Sequence, residues 1–177
     1  MSTTLQQIPA GTYGVDTIHS TIGFGVKHLG LSTFRSGFAR YDAQLADGVL
    51  TGTADVSSIQ IEQPDLKGHV LAGDFLDAEG SPTLTFRSTE IRAAADGSVE
   101  VDGELTIKGI TKPVTATGTY AAGQDPSGGE RVAFELEAVI DRRAHGLGWQ
   151  SELPKGGDAL GWDVTLTAHL ELVAAAA

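Results

Sequence analysis

The feature that most constrains this sequence is the alternation of apolar and polar residues, which recurs from Phe24 to Leu172. Successive side chains of a β-strand point to opposite faces of a sheet, so each alternating stretch has one dry face. There are more strands with an apolar face than a single flat sheet needs. The pattern therefore predicts that the strands close into a barrel with their apolar faces inward. Examples are residues 84–86, 99–101, 105–107, 132–138 and 164–170.

Glycine turns separate the alternating stretches, and this spacing is typical of an all-β chain. Asp47-Gly48, Asp96-Gly97 and Lys108-Gly109 each supply a residue that tolerates positive φ. They predict that consecutive strands pair as antiparallel hairpins. We expect eight strands, at about residues 18–28, 36–46, 49–60, 82–94, 98–108, 112–122, 130–141 and 160–173.

One short helix is predicted after the third strand. Pro64 suits the first helical position, Asp65 lies near the positive end of the helix dipole, and Gly73 is a stop signal. The sequence therefore predicts an eight-stranded antiparallel barrel with one inserted helix. We expect residues 1–177 to form a single domain whose core spans about 11–173. The tail from Val173 onward is expected to fray.

The charge and amino-acid composition of the chain limit which molecules and compartments are expected for it. The 177 residues include 23 acidic and 12 basic side chains, for a net charge of -11, which disfavours nucleic acid and anionic membrane surfaces. The chain has no cysteine, so disulfides and thiolate chemistry are excluded. The first nine residues have neither a basic start nor an apolar run, which predicts a cytoplasmic protein without stable membrane insertion. The sequence does not decide whether the protein forms a homodimer.

The alternation predicts which side chains face the lumen. Small residues among them, at Ala116, Gly118, Ala138 and Ala168, are expected to leave room for a ligand, although larger side chains fill many eight-stranded barrels. The predicted apolar ligand-binding residues are Ile22, Phe24, Val26, Leu84, Phe86, Val101, Leu105, Ile107, Val132, Phe134, Leu136, Ile140, Val164, Leu166 and Leu170.

Three further lumen residues carry polar atoms. Counting by twos from Phe24 places His28 inward, where it either contacts a ligand headgroup or makes a structural hydrogen bond. Trp162 is expected to point inward near one end of the last strand. Trp149, in the long connection at 142–159, either covers the lumen or anchors this loop to the outer wall. The bases that could meet an anionic headgroup are Arg35, Lys108, Lys112, Arg142 and Arg143.

Catalytic and metal-binding patterns are weak. The sequence has no nucleophile elbow, phosphate loop or His-Glu-x-x-His. Asp16 and His19 are interpreted as a hydrogen-bonded pair that stabilises the barrel mouth, and Ser20 lies on the opposite face of the strand. A metal site built from His28, His145 and His169 lacks ligand spacing and is not predicted, although the sequence alone leaves it open.

Several motifs occur in an order that resembles the YceI-like family. They are DTIHSTIGFGVKHLG at 16–30, GF at 37–38, PTLTFRS at 82–88, GELTIKGITKP at 103–113 and DRRAHG at 141–146. The resemblance implies an extended, lipocalin-like barrel that holds a polyisoprenoid or a similar long amphiphile. Two positions depart from the family pattern, Leu76 after Phe75 and His145 before Gly146.

Three functions compete at this point. The favoured one is binding of a long-chain amphiphilic lipid, such as a polyisoprenoid or isoprenoid quinone, together with its transport or storage. The alternatives are an enzyme acting on such a lipid, and a filled barrel whose outer surface binds a protein. We expect a small lipid ligand, no catalytic residues and no cofactor beyond that lipid.

Overall fold

The computed structural model describes residues 5–176. Eleven strands and one helix, α1 at Pro64–Leu71, make up its regular structure. Short 3-10 turns occur at Val56–Ser58 and Arg142–His145. The strands are β1 Leu5–Gln6, β2 Thr12–Val15, β3 Thr21–His28, β4 Ser32–Gly37, β5 Tyr41–Ala46, β6 Val49–Asp55, β7 Thr83–Ala94, β8 Ser98–Ile107, β9 Ile110–Gln124, β10 Glu130–Asp141 and β11 Leu160–Ala174.

Eight antiparallel strands close into a ring. From β5 to β11 each strand pairs with the next, while β2 pairs with both β11 and β5 and so closes the circle. The remaining three strands lie outside it: β1 pairs with β7, β3 continues along β11 beyond β2, and β4 pairs with β3. The predicted eight-stranded barrel is confirmed.

The first predicted strand is shortened in the structure, and the second is divided. The predicted strand at 18–28 keeps only β3, because the chain turns between Val15 and Thr21 and β2 forms a separate strand before it. The predicted strand at 36–46 divides into β4 and β5, where Phe38 bridges to Ile59 instead of continuing the ladder. These breaks let the β3–β4 hairpin extend the barrel wall beyond the ring at one end.

The hairpin turns follow the predicted chemistry. In the turn between β5 and β6, Asp47 and Gly48 have φ of 47° and 80°, and between β8 and β9, Lys108 and Gly109 have 52° and 73°. Positive φ at both central residues is typical of a type I′ turn, whose twist matches that of the two antiparallel strands it joins. At Asp96-Gly97 only the glycine has positive φ, at 88°.

The helix begins where Pro64 predicted it. The Gln63 side chain accepts a hydrogen bond from the Leu66 amide and caps the helix, which ends at Leu71 with Ala72 as its C-cap, just before Gly73. No helix in the part of the chain that the structure describes is long and apolar enough to cross a bilayer.

The C-terminal tail corrects one expectation. Val173 and Ala174 belong to β11 and pair with Gly14 and Tyr13, and the Ala175 amide donates to the Thr12 carbonyl. The strand continues because β2 and β10 offer it partners on both edges. Ala177, the last residue of the predicted frayed tail, lies outside the described residues.

The interior differs between the two barrel ends. At one, which we call the filled end, buried side chains pack into a continuous core that includes Tyr13, Leu45, Val99, Val101, Tyr120, Val132, Phe134 and Leu172. At the other, a second cluster joins the barrel wall to α1 and the loops beside it; its buried members include Phe38, Val56, Ile59, Leu76 and Leu147.

Candidate functional site

An apolar cavity occupies the barrel from its middle to the end opposite the filled end. Its inner section has a volume of about 150 Å³. Ala116, Ala138 and Ala168, on three different strands, line this section and take little of its space. Larger side chains complete the wall, among them Ile22, Leu50, Leu84, Phe86, Leu105, Leu136, Leu166 and Leu170.

The outer section is larger, about 550 Å³, and lies under α1 and the loop at 147–160. Phe24 is central to its wall, with the Phe34 and Phe38 rings at centroid distances of 6.2 and 6.0 Å. Four side chains line both sections, so the two lie end to end as one tube: Phe38, Leu84, Ile107 and Leu166.

The lining of the outer section includes the ionisable side chains of His28, Arg35 and His69. His28 and Arg35 are exposed, which places them at the rim. The His69 ring stands edge-on to Trp149 at 5.0 Å and to Phe75 at 5.9 Å, and joins the helix to the loop. Trp149 therefore lines the cavity as part of its cover, which answers the alternative left open by the sequence.

Arg142 holds this cover in place. Its guanidinium is buried and donates hydrogen bonds to the backbone carbonyls of Leu147, Trp149, Leu160 and Gly161. Burial lowers the pKa of Arg142 from its ordinary value. Because four of its five N–H groups are engaged by the backbone, Arg142 is a positioning residue of the loop rather than a free headgroup ligand.

The other predicted headgroup bases have separate positions. Arg143 pairs with Asp141 at 2.7 Å, and Lys108 donates to the Gly73 carbonyl at 2.9 Å. Lys112 is exposed on β9. Of these five bases, Arg35 alone is both exposed and part of the cavity lining.

The structure brings most of the predicted lumen residues to the cavity. Eight line its inner section: Ile22, Leu84, Phe86, Leu105, Ile107, Leu136, Leu166 and Leu170. Phe24, Val26, His28, Ile140, Trp149 and Val164 line the outer section, with Leu84, Ile107 and Leu166 shared. That they bind a ligand stays a prediction.

Four predicted ligand residues do not reach the cavity. Val101, Val132 and Phe134 face inward but lie in the filled end, where neighbouring side chains cover them. Trp162 lies between two guanidinium groups, with Arg142 at 4.2 Å and Arg143 at 4.7 Å from its ring centroid. These contacts are cation–π interactions, and they hold the indole outside the tube.

Gly118 also departs from the expectation that small inward residues leave room. A Cβ at this position would lie 1.7 Å from the Glu135 carbonyl oxygen of the neighbouring strand. The glycine thus permits close approach of two backbones, and its missing side chain adds nothing to the cavity.

Several lining residues were missed by the alternation pattern. Ile59, Leu66, His69, Val70, Phe75 and Leu147 line the outer section from α1 and the loops, where period-two alternation does not apply. Helical spacing places Leu66 and Val70 on one face of α1, but spacing alone does not show that this face covers a cavity.

The Asp16–His19 pair lies apart from the cavity, beside the filled end, which corrects its predicted place at the mouth. His19 Nδ1 is 2.8 Å from Asp16 Oδ2, and Arg131 bridges Asp16 and Glu171 at 3.0 and 2.7 Å. Hydrogen bonds from His19 and then Arg131 lower the Asp16 pKa to about 2. The Ser20 hydroxyl accepts from the Glu171 amide, separately from the imidazole.

Within residues 5–176, Asp16, His19 and Glu171 are the one cluster with metal-ligand spacing, and Arg131 already pairs with both of its carboxylates. The histidines considered for a metal site are not brought together. His145 is buried and its Nδ1 lies 3.0 Å from the Ile110 carbonyl, while His28 stands at the cavity rim. His169 is exposed on β11.

The sequence and the fold of this chain are both shared with known proteins. Residues 13–172 match the YceI-like domain. The chain belongs to the YceI-like family. A UPF0312 protein of Vibrio cholerae is 36% identical over 148 residues, which cover 78% of each chain.

Two solved structures show the same fold. BcnA of Burkholderia cenocepacia superposes with a TM-score of 0.73 at 26% identity, covering 89% of this chain and 98% of BcnA. A polyisoprenoid binding domain from Saccharophagus degradans, implicated in plant cell wall breakdown, has a TM-score of 0.68 at 12% identity. That match covers 92% of this chain and 98% of the domain. Both likenesses extend over nearly the whole barrel.

Proposed function

We propose that this chain binds one long-chain amphiphilic lipid, such as a polyisoprenoid or an isoprenoid quinone, with its apolar chain along the tube. The observation that carries the proposal is the pair of largely apolar sections that lie end to end, with the exposed side chains of His28 and Arg35 at the rim of the outer section. A narrow apolar tube with a polar rim complements a molecule with a long apolar chain and one polar head.

The size of the hydrophobic contribution is adequate for this role. A lipid chain that buries about 600 Å² gains roughly 15 kcal/mol before costs, at about 25 cal/mol per Å². Association costs about 4–15 kcal/mol, so the surplus is compatible with affinities from micromolar to nanomolar. The Saccharophagus degradans domain, named for polyisoprenoid binding, supports the same class of ligand.

The proposal is of a binding protein rather than an enzyme, with the lipid as ligand and no further cofactor. Its support is the composition of the inner section, whose wall is aliphatic and aromatic carbon apart from a few threonines and Glu137. Transport or storage, rather than catalysis, is the use that such a wall suits. A cytoplasmic place of action stays a prediction from the sequence.

Native mass spectrometry of the freshly purified protein, followed by organic extraction, tests the proposal directly. We expect one lipid for each subunit. Ala138→Phe, which puts a ring into the inner section, should abolish or shorten the bound lipid. Val139→Phe is the matched control, since Ala138 is 8% exposed and its strand neighbour Val139 is 60% exposed on the outer wall.

Two results would contradict lipid binding. One is the repeated absence of lipid from the wild-type protein, together with no calorimetric binding of quinones, polyprenyl phosphates or fatty acids. The other is equal lipid content in the Ala138→Phe and Val139→Phe variants, which would place the ligand outside the tube.

A further inference from the structure

The turn that joins β3 to β4 differs from comparable turns in the same barrel. Its central residues Leu29 and Gly30 have φ of 54° and 67°, and the Leu31 amide donates to the His28 carbonyl at 3.0 Å. The turns at Asp47-Gly48 and Lys108-Gly109 have the same signs of φ, with a polar residue in the first position. Leucine is disfavoured in this left-handed region, where asparagine, aspartate and glycine are common.

The two leucines of this turn gain little from packing. Leu31 is 81% exposed and Leu29 is 37% exposed. A strained position that holds an exposed apolar side chain contributes nothing evident to the fold, and such positions tend to serve function.

The turn stands at the rim of the cavity. His28 and Ser32, on either side of the leucines, both line the outer section. The Leu29 amide donates to the carbonyl of Ala159, which lines the same section. The exposed leucines are therefore continuous with the opening through which a lipid would enter.

The charge of this region is opposite to that of the whole chain. Residues 17–41 contain no aspartate or glutamate but include Lys27, Arg35 and Arg40, whereas the full chain has a net charge of -11. Lys27 and Arg35 are exposed on the β3–β4 hairpin itself. Neither Lys27 nor Arg35 forms a salt bridge within the described residues, whereas Arg40 pairs with Asp55. The neighbouring loop carries the exposed acids Glu152 and Asp158. The hairpin thus combines exposed apolar side chains with two exposed basic side chains.

We infer that the tip of the β3–β4 hairpin docks on the surface of an anionic phospholipid bilayer and brings the cavity mouth to the membrane. The leucines would enter the boundary between headgroups and acyl chains, while the basic side chains meet lipid phosphates. The acidic remainder of the protein opposes tight adsorption, so the contact is reversible. The inference rests on the proposed function, for which it names the place of lipid exchange.

Vesicle flotation at low ionic strength tests the docking surface. The probes are vesicles of equimolar phosphatidylglycerol and phosphatidylcholine, compared with vesicles of phosphatidylcholine alone. We expect the wild type to float with the anionic vesicles. The double variant Leu29→Asn, Leu31→Asn should bind about tenfold more weakly, and Lys27→Gln about fivefold more weakly. Val139→Asn, which removes one exposed apolar side chain from the outer wall, should bind as the wild type does.

Unfolding would not explain the expected loss. Asparagine suits positive φ better than leucine, so Leu29→Asn should keep or raise the melting temperature. Docking is overturned if the wild type does not float with anionic vesicles, or if Val139→Asn weakens flotation as much as the double variant. Flotation does not need a ligand in the tube, so lipid uptake from ethanol solution, measured separately, tests the proposed function independently.

Discussion

The two ends of the barrel share their strands but differ in what those strands enclose. On β11, Leu172 at the filled end is fully buried, whereas Leu166, six residues earlier, lines both cavity sections. Both leucines lie on the inward face of the strand. The same alternation therefore produces a packed core at one end and an open tube at the other.

Side-chain size across the barrel accounts for the difference. At the filled end, the rings of Tyr120 and Phe134 approach to 5.1 Å between centroids and close the lumen. In the inner cavity section, Ala116, Ala138 and Ala168 supply short side chains on three walls. The alternation of apolar and polar residues shows which side chains point inward. Whether the interior is filled or hollow depends on the sizes of the side chains that meet across the lumen.

The largest expected contrast comes from the same truncation at the two ends. Leu172→Ala should lower the free energy of unfolding by about 3–5 kcal/mol, because it removes contacts and leaves a new void. Leu166→Ala should cost only about 1–2 kcal/mol, because its side chain already borders empty space, while lipid affinity falls. Urea denaturation measures both, and equal losses at the two positions would break the distinction between the ends.

A smaller effect is expected at the rim. His28→Leu should weaken ligands with anionic or carbonyl headgroups by about 1 kcal/mol, the lower part of the range for a lost hydrogen bond, since His28 is exposed. A plain hydrocarbon should bind as before. His169→Leu, exposed on the outer wall, is the control. Calorimetry with matched ligands checks this, and equal weakening of both ligand types would give His28 a structural role.

The smallest effect concerns pH and the ionic cluster beside the filled end. The Asp16 pKa is lowered from 3.8 to about 2, so its stabilising contribution is present above about pH 4 and is lost as pH falls towards 2. The pKa of His19 is raised from 6.5 by Asp16, so the contribution of its charge is present below 6.5 and is lost as pH rises.

Melting temperatures of wild type and Asp16→Asn should therefore differ most between about pH 4 and 6.5. The difference should shrink below this window as Asp16 becomes protonated. It should narrow above the window once His19 loses its proton, leaving the interaction with Arg131. A difference that stays constant from pH 2 to 8 would show that neither group is coupled to folding.

The fold was predictable where local rules act alone. Alternating residues, turn dipeptides such as Lys108-Gly109, and the proline at the helix start all gave the right element type and pairing. The shortening of the first predicted strand, the separate strand β2 before it and the break in the second predicted strand were not predictable. They depend on distant partners, such as Ile59 bridging to Phe38 and Glu171 bonding to Ser20.

The residues that line the cavity were predictable where they lie on strands, but not where they lie on the helix and loops. Inward positions such as Phe24 and Leu84 follow from counting by twos, whereas the cover follows from how α1 packs over the barrel. Trp162 was misplaced because the pairing of β11 with β3 shifts between Leu160 and Val164. Gly118 was misread because only the neighbouring backbone shows that its space is taken.

Because the filled end closes the tube, the cavity would act as a gauge of molecular length for the proposed ligand. A lipid chain that entered at the rim would stop in the inner section, whose wall includes Leu136 and Leu170. A short chain leaves the bottom of this blind tube empty, and a longer chain must keep its surplus carbons outside. Chain length would thus be selected by the depth of a packed floor, with no polar group needed to recognise it.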